Sequence, residues 1–122
     1  MPVATLSIPP SVEHVRTARL VAVAAARRAG LDEELVDDVR LAVGEAVARA
    51  VLRHGTAEID THVDVVVRDD GLGFEVEVHD HSTSTVRDDD DGIALALVEA
   101  LVPEVRTHDE VLTLAWPTGS SA

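Results

Sequence analysis

The chain contains no cysteine and no tyrosine, and a single tryptophan, phenylalanine and methionine. Without cysteine there is no disulfide, no zinc–thiolate site and no thiol nucleophile. With two aromatic residues there is no platform on which bases could stack, which argues against single-stranded nucleic-acid binding. Positive charge is scarce as well: 10 Lys and Arg stand against 23 Asp and Glu, a formal charge of -13. Such a surface repels phosphate backbones and anionic lipid, so neither nucleic acid nor a membrane is expected as a partner. A basic protein surface would be attracted, although acidity also serves solubility by itself. Long apolar runs are missing too. "LVAVAAA" is far too short to span a bilayer, and "MPVATLSIPP" lacks the basic-then-apolar pattern of a secretion signal. A soluble cytoplasmic protein is the expectation.

What is present is a chain of 122 residues, 46% hydrophobic. That suits one domain over 1–122 with a core of Val, Leu, Ile and Ala. "VATLSIP" alternates and predicts a first strand, closed by Pro9-Pro10. Ser11 is an N-cap candidate for a helix to about Arg28, with Val12, Val15, Ala18, Leu20, Val21 and Ala25 as its apolar face and Gly30 as its stop. Asp32-Glu33-Glu34 opens a second helix that carries Leu35, Val39, Ala42, Val43, Ala46, Val47 and Ala50 inward and ends near His54-Gly55. The period then switches to two. "IDTHVDVVV" and "FEVEVHD" read as strands around a turn at Arg68–Gly73. "HSTSTVRDDDD" reads as a loop and "GIALALVEALV" as a short helix. "EVRTH" and "EVLTLAW" close the chain as a hairpin, and 117–122 as a frayed tail. The order β-α-α-β-β-loop-α-β-β predicts an α/β fold of the α+β kind: a two-layer sandwich with a mixed, mostly antiparallel sheet covered on one face by about three helices.

Few residues offer chemistry. Glu45, Arg49 and Arg53 recur at i+4 and share a helix face, either as exposed ion pairs or as the lining of a site. Gly92 opens a helix after an acidic loop, where a glycine would admit a phosphate to the helix N-terminus or merely end the loop. His79 and His81 point to one side of a strand and Asp80 to the other, without the further ligands a metal needs. Asp88 to Asp91 lacks the spacing of a calcium loop, so no metal site is expected. Asp69-x-Gly71-x-Gly73-Phe74 has the letters of a nucleotide loop but also those of a turn. Ser-His-Asp order, the GxSxG elbow, HExxH and the Walker A pattern are all absent.

Three blocks in order resemble the anti-sigma factor serine kinases, of the GHKL or Bergerat-fold ATPase superfamily. "RLAVGEAVARAVLRH" is similar to the family's N box, "FEVEVHDHSTS" to its G1 box and "GIALALVEALVPEV" to its G2 box. "SIPPSVEHVRTARLVAVAA" resembles its first strand and helix. The resemblance implies a histidine-kinase-like ATPase domain. It implies Glu45 as the general base, Arg49 at the position of the magnesium-binding Asn, and Asp80 as the aspartate that binds the adenine amino group. A family hairpin between N box and G1 box favours Asp80 over Asp69 for that role, and makes Asp69–Gly73 the turn. Ser82 and Ser84 replace the two G1 glycines. Gly92 keeps the first G2 glycine and Ala94 replaces the second. On the first helix, Arg19, with Arg16 near it, matches an arginine that contacts partners.

The departures carry weight. Arg offers no acceptor to magnesium and repels it, and its nearest expected contact is Glu45, one turn earlier. Serine and alanine restrict the close backbone approach that glycine allows. The expectation is an anti-sigma-type regulator that binds a sigma factor and is countered by an anti-anti-sigma protein of STAS type, with no cofactor, and as a possible homodimer. The alternative is an active serine kinase that phosphorylates the STAS protein using ATP, with or without magnesium.

Overall fold

The computed structural model describes residues 3–9, 11–57, 62–69, 73–79, 89–108 and 111–117; the side chains of 3, 53–57 and 89–94 lie outside the description. Within it, β1 spans Val3–Ile8 and a single 3-10 turn spans Val12–His14. Helix α1 covers Val15–Arg28 and α2 covers Glu33–Ala57. Next come β2 (Val63–Asp69), β3 (Gly73–His79), α3 (Asp89–Leu101), β4 (Glu104–His108) and β5 (Val111–Pro117).

The corner between α1 and α2 follows directly from its residues. Gly30 takes φ 90°, which a side chain would resist, and ends α1. The Gly30 N–H donates to the Arg27 carbonyl at 3.1 Å and the Leu31 N–H to the Ala26 carbonyl at 3.1 Å. This pair of bonds satisfies the last carbonyls of α1 and turns the chain with Leu31 buried. Asp32 then caps α2, its Oδ1 accepting the Leu35 N–H at 2.9 Å.

The five strands form one sheet in the order β1-β2-β3-β5-β4, antiparallel at every pairing. The mixed sheet expected from the sequence is therefore fully antiparallel: β1 meets β2 across the two intervening helices, and β4 folds back on β5 at an edge. Alternation decides the two faces. Val63, Val65, Val67, Phe74, Val76, Val78, Leu112, Leu114 and Trp116 are buried. The intervening residues of β2 and β3 are half-buried. Phe74 and Trp116 meet with ring centroids 6.0 Å apart, so the only two aromatic rings of the chain share one place in the core.

Helix α2 buries Val36, Val39, Ala42, Val43, Ala46, Val47, Ala50 and Val51, close to the expected stripe. Helix α1 differs. Its buried residues are Val15, Ala18, Ala22, Val23 and Ala26, whereas Val12 and Leu20 are 66% and 59% exposed. The inward stripe runs at i, i+3 and i+4 through the alanines, because small residues let α1 lie close to α2. Leu20 falls outside that arc. Helix α3 begins three residues earlier than Gly92, at Asp89. Acidic residues suit the positive end of the helix dipole, so part of the presumed loop is helical. Pro117, expected in a frayed tail, is the last residue of β5.

The other face of the sheet is polar. Glu77 on β3 accepts from Arg68 on β2, and its Oε1 lies 3.0 Å from His79 Nε2. Arg106 on β4 reaches over β5 to Glu75, donating at 2.7 Å. Partial burial alone would raise the Glu77 carboxyl, but the bonds from His79 and Arg68 outweigh it and hold the pKa below its ordinary 4.5. A carboxylate with a depressed pKa stabilises the fold above its unfolded pKa and loses that contribution as pH falls.

Two outcomes are expected. Ala22→Leu overfills the α1–α2 contact and lowers stability by about 1–3 kcal/mol in denaturant unfolding. Glu77→Gln lowers stability by about 1 kcal/mol at neutral pH, and the wild type's lead over it shrinks as pH falls below 4.5, measured by paired melts.

Candidate functional site

The helix α2 carries the first part of the candidate site. Glu45 and Arg49 are both half-buried, one turn apart on the same side. Among the described residues no hydrogen bond or ion pair joins them, so the expected Glu45–Arg49 contact is not made. Arg and Glu at i and i+4 gain little from pairing when each can be solvated, and the orientation with Glu first is only mildly favourable. The Glu45 carboxylate is thus left uncommitted to Arg49. The Arg53 side chain lies outside the described residues.

The pairing of β2 with β3 brackets the Asp69-x-Gly71-x-Gly73 stretch. Asp69 is the last residue of β2 and pairs with Phe74, and Gly73 opens β3 and pairs with Pro117 on β5. The pairing itself does not require glycine at 73. A Cβ there would lie 3.5 Å from the Trp116 carbonyl oxygen and 3.6 Å from Pro117 Cα, an ordinary contact. Asp69 and Gly73 are thus the adjoining ends of two antiparallel strands, and 70–72 lie outside the described residues. Strand β3 runs on to His79, the residue before Asp80. Asp80, Ser82 and Ser84 lie outside the described residues. Gly92 and Ala94 lie within α3, Gly92 in its first turn.

The remaining site residues are on α1. Arg16 and Arg19 are exposed. Arg16 and Leu20 lie one turn apart on α1, both exposed. Arg27, Arg40, Arg68 and Arg106 each hold a carboxylate. Among the described residues no ion pair joins Arg16 or Arg19. The stem of Arg19 lies over α2 instead: a Cβ placed on Gly44 would come 2.8 Å from Arg19 Cδ, 3.4 Å from Cγ and 3.7 Å from Nε. The sequence reading passed over Gly44. A lone glycine in the middle of a strongly periodic helix is the signal that would have found it.

Among the described residues no group of three or more His, Cys, Asp or Glu is placed to hold a metal. No helix among them is long and apolar enough to cross a membrane.

A five-stranded antiparallel sheet with helices packed on one face, two of them between the first two strands, defines a two-layer α+β sandwich. The family described as the histidine kinase-like ATPase domain matches residues 8–116, and the chain belongs to it. The chain is similar to the serine-protein kinase RsbW of Oceanobacillus iheyensis, 28% identical over 83 residues, covering 59% of this chain and 52% of that protein. It therefore spans about half the length of that relative. Its fold is similar to the crystal structure of the RsbU and RsbW domains of a Mycobacterium tuberculosis protein, at a TM-score of 0.69 and 20% identity, covering 94% of this chain and 31% of the other.

Because Glu45 is half-buried and unbonded to Arg49, its removal is expected to leave folding almost untouched. Glu45→Ala should shift unfolding free energy by less than about 0.5 kcal/mol in urea titration.

Proposed function

We propose that this chain is an anti-sigma-type regulator. It binds a sigma factor, holds it from RNA polymerase, and is displaced by an anti-anti-sigma protein of STAS type. Likeness to RsbW and to a structure with an RsbW domain supports the class. The observation that carries the choice of binding over catalysis is Arg49. It stands half-buried on α2, one turn past Glu45, where the resemblance places a magnesium-binding Asn. A fixed cation without a lone pair at that position opposes a divalent metal. The chain contains no asparagine or glutamine anywhere, so no side-chain amide takes over the role. Ser82, Ser84 and Ala94 at glycine positions restrict the close backbone approach that a nucleotide needs. Arg49 denies magnesium the oxygen ligand an Asn would offer, and control by competition between proteins requires no metal.

One observation favours the second reading, a serine kinase acting on the STAS protein. Glu45 remains in place and is not tied to Arg49. Asp80 and Gly92 also keep the family's residue types. An arginine facing a phosphate would allow nucleotide to bind without metal.

Two titrations decide the matter. Purified sigma factors of the same cell, titrated one by one, are expected to include one that binds and is released by a STAS protein; silence from all of them would sink the regulator. Calorimetry with ATP is expected to show no magnesium-dependent binding, and tight magnesium-dependent binding would instead establish the kinase. If ATP is silent, Arg49→Asn together with glycine at 82, 84 and 94 is expected to raise nucleotide affinity.

A further inference from the structure

We infer that Gly44 is a positioning residue, whose missing side chain seats the stem of Arg19 and aims its guanidinium outward at a carboxylate on the partner. This rests on the reading of Arg19 as a partner contact. The argument starts from a cost. Glycine in the middle of a long helix is unfavourable relative to alanine, and Gly44 sits in the middle of α2 with its backbone buried. Its φ is not in the left-handed region, so no turn or cap requires it. What occupies the space of the absent side chain is Arg19. A Cβ on Gly44 would stand 2.8 Å from Arg19 Cδ, closer than two such carbons can approach. Only side-chain atoms of Arg19 are that near, so an added methyl displaces a flexible side chain rather than backbone.

The contact restrains Arg19 along its aliphatic length. Long side chains lie over apolar or bare surface while the charged head stays in water. Here the bare surface is a glycine backbone, and it removes rotamers that a free arginine would otherwise visit. The head group is exposed. Arg27, Arg40, Arg68 and Arg106 each take a carboxylate, while among the described residues no ion pair joins Arg19. In a chain of charge -13, an exposed arginine with a fixed stem and no internal acid is an available cation. Its planar fork matches a carboxylate through two parallel bonds. Restraint before binding lowers the entropy lost on binding.

The test is a double-mutant cycle on the full chain, read by calorimetry against the sigma factor that binds the wild type. Arg19→Ala is expected to raise Kd at least about tenfold. Gly44→Ala is expected to raise it about three- to tenfold while Tm stays within about 4 °C of the wild type or rises. In the Arg19→Ala background, Gly44→Ala is expected to change nothing further. Wild-type affinity for Gly44→Ala beside a weakened Arg19→Ala would overturn the positioning role alone. So would a Gly44→Ala loss that persists without Arg19. Wild-type affinity for Arg19→Ala would overturn the partner contact itself and this inference with it. A second measurement needs no partner: nuclear Overhauser contacts between the Arg19 δ protons and the Gly44 α protons are expected in the free protein, and their absence would overturn the seat.

Discussion

The packing of α2 is the constraint on which the rest depends. Its valines and alanines are buried along the helix from Val36 to Val51, against the sheet on one side and the flanking helices on the others. With two aromatic rings in the whole chain, close approach has to replace bulk. Alanines on α1 and α2 allow that approach, and valines on the sheet present a broad, stiff apolar surface. A helix held this firmly on its inner side presents Gly44, Glu45 and Arg49 in fixed relation to one another. The candidate site is the outer and lateral part of the same helix whose inner part is the core.

The two faces of the sheet divide the work. The inner one is continuous Val, Leu, Phe and Trp under the helices. The outer one is tied by Arg68, Glu77 and His79, and by Arg106 crossing to Glu75. Those ties link β2 to β3, and β4 to β3 across β5, on the half-buried polar face. Strand β3 belongs to both systems, since Val78 is in the core and His79 is bound to Glu77 one residue before Asp80.

The arginines separate by what holds them. Four hold carboxylates within the molecule. Arg49 stands beside an unbonded Glu45, and Arg19 rests on a glycine. The chain's few cations are therefore divided between internal ties and exposed positions such as Arg19 on α1. In so acidic a molecule the second kind is where electrostatics become specific.

By itself the sequence determined the order of elements, the single sheet and most of the core. Periods of 3.6 and 2 leave little choice about which residues of α2, β2 and β3 face inward. Tertiary structure decided the rest. Val12 and Leu20 looked like core residues, since hydrophobicity alone does not say which arc of a helix meets its neighbour; the alanine stripe through Ala18, Ala22 and Ala26 does. The Glu45–Arg49 pair was suggested by spacing, which permits a contact without requiring it. The antiparallel course of the whole sheet depends on how the connections cross, and no local pattern records that. Gly44 and Arg19 are 25 residues apart in the chain. Only the packing of α1 on α2 turns a missing methyl in one helix into the support of a charge on the other.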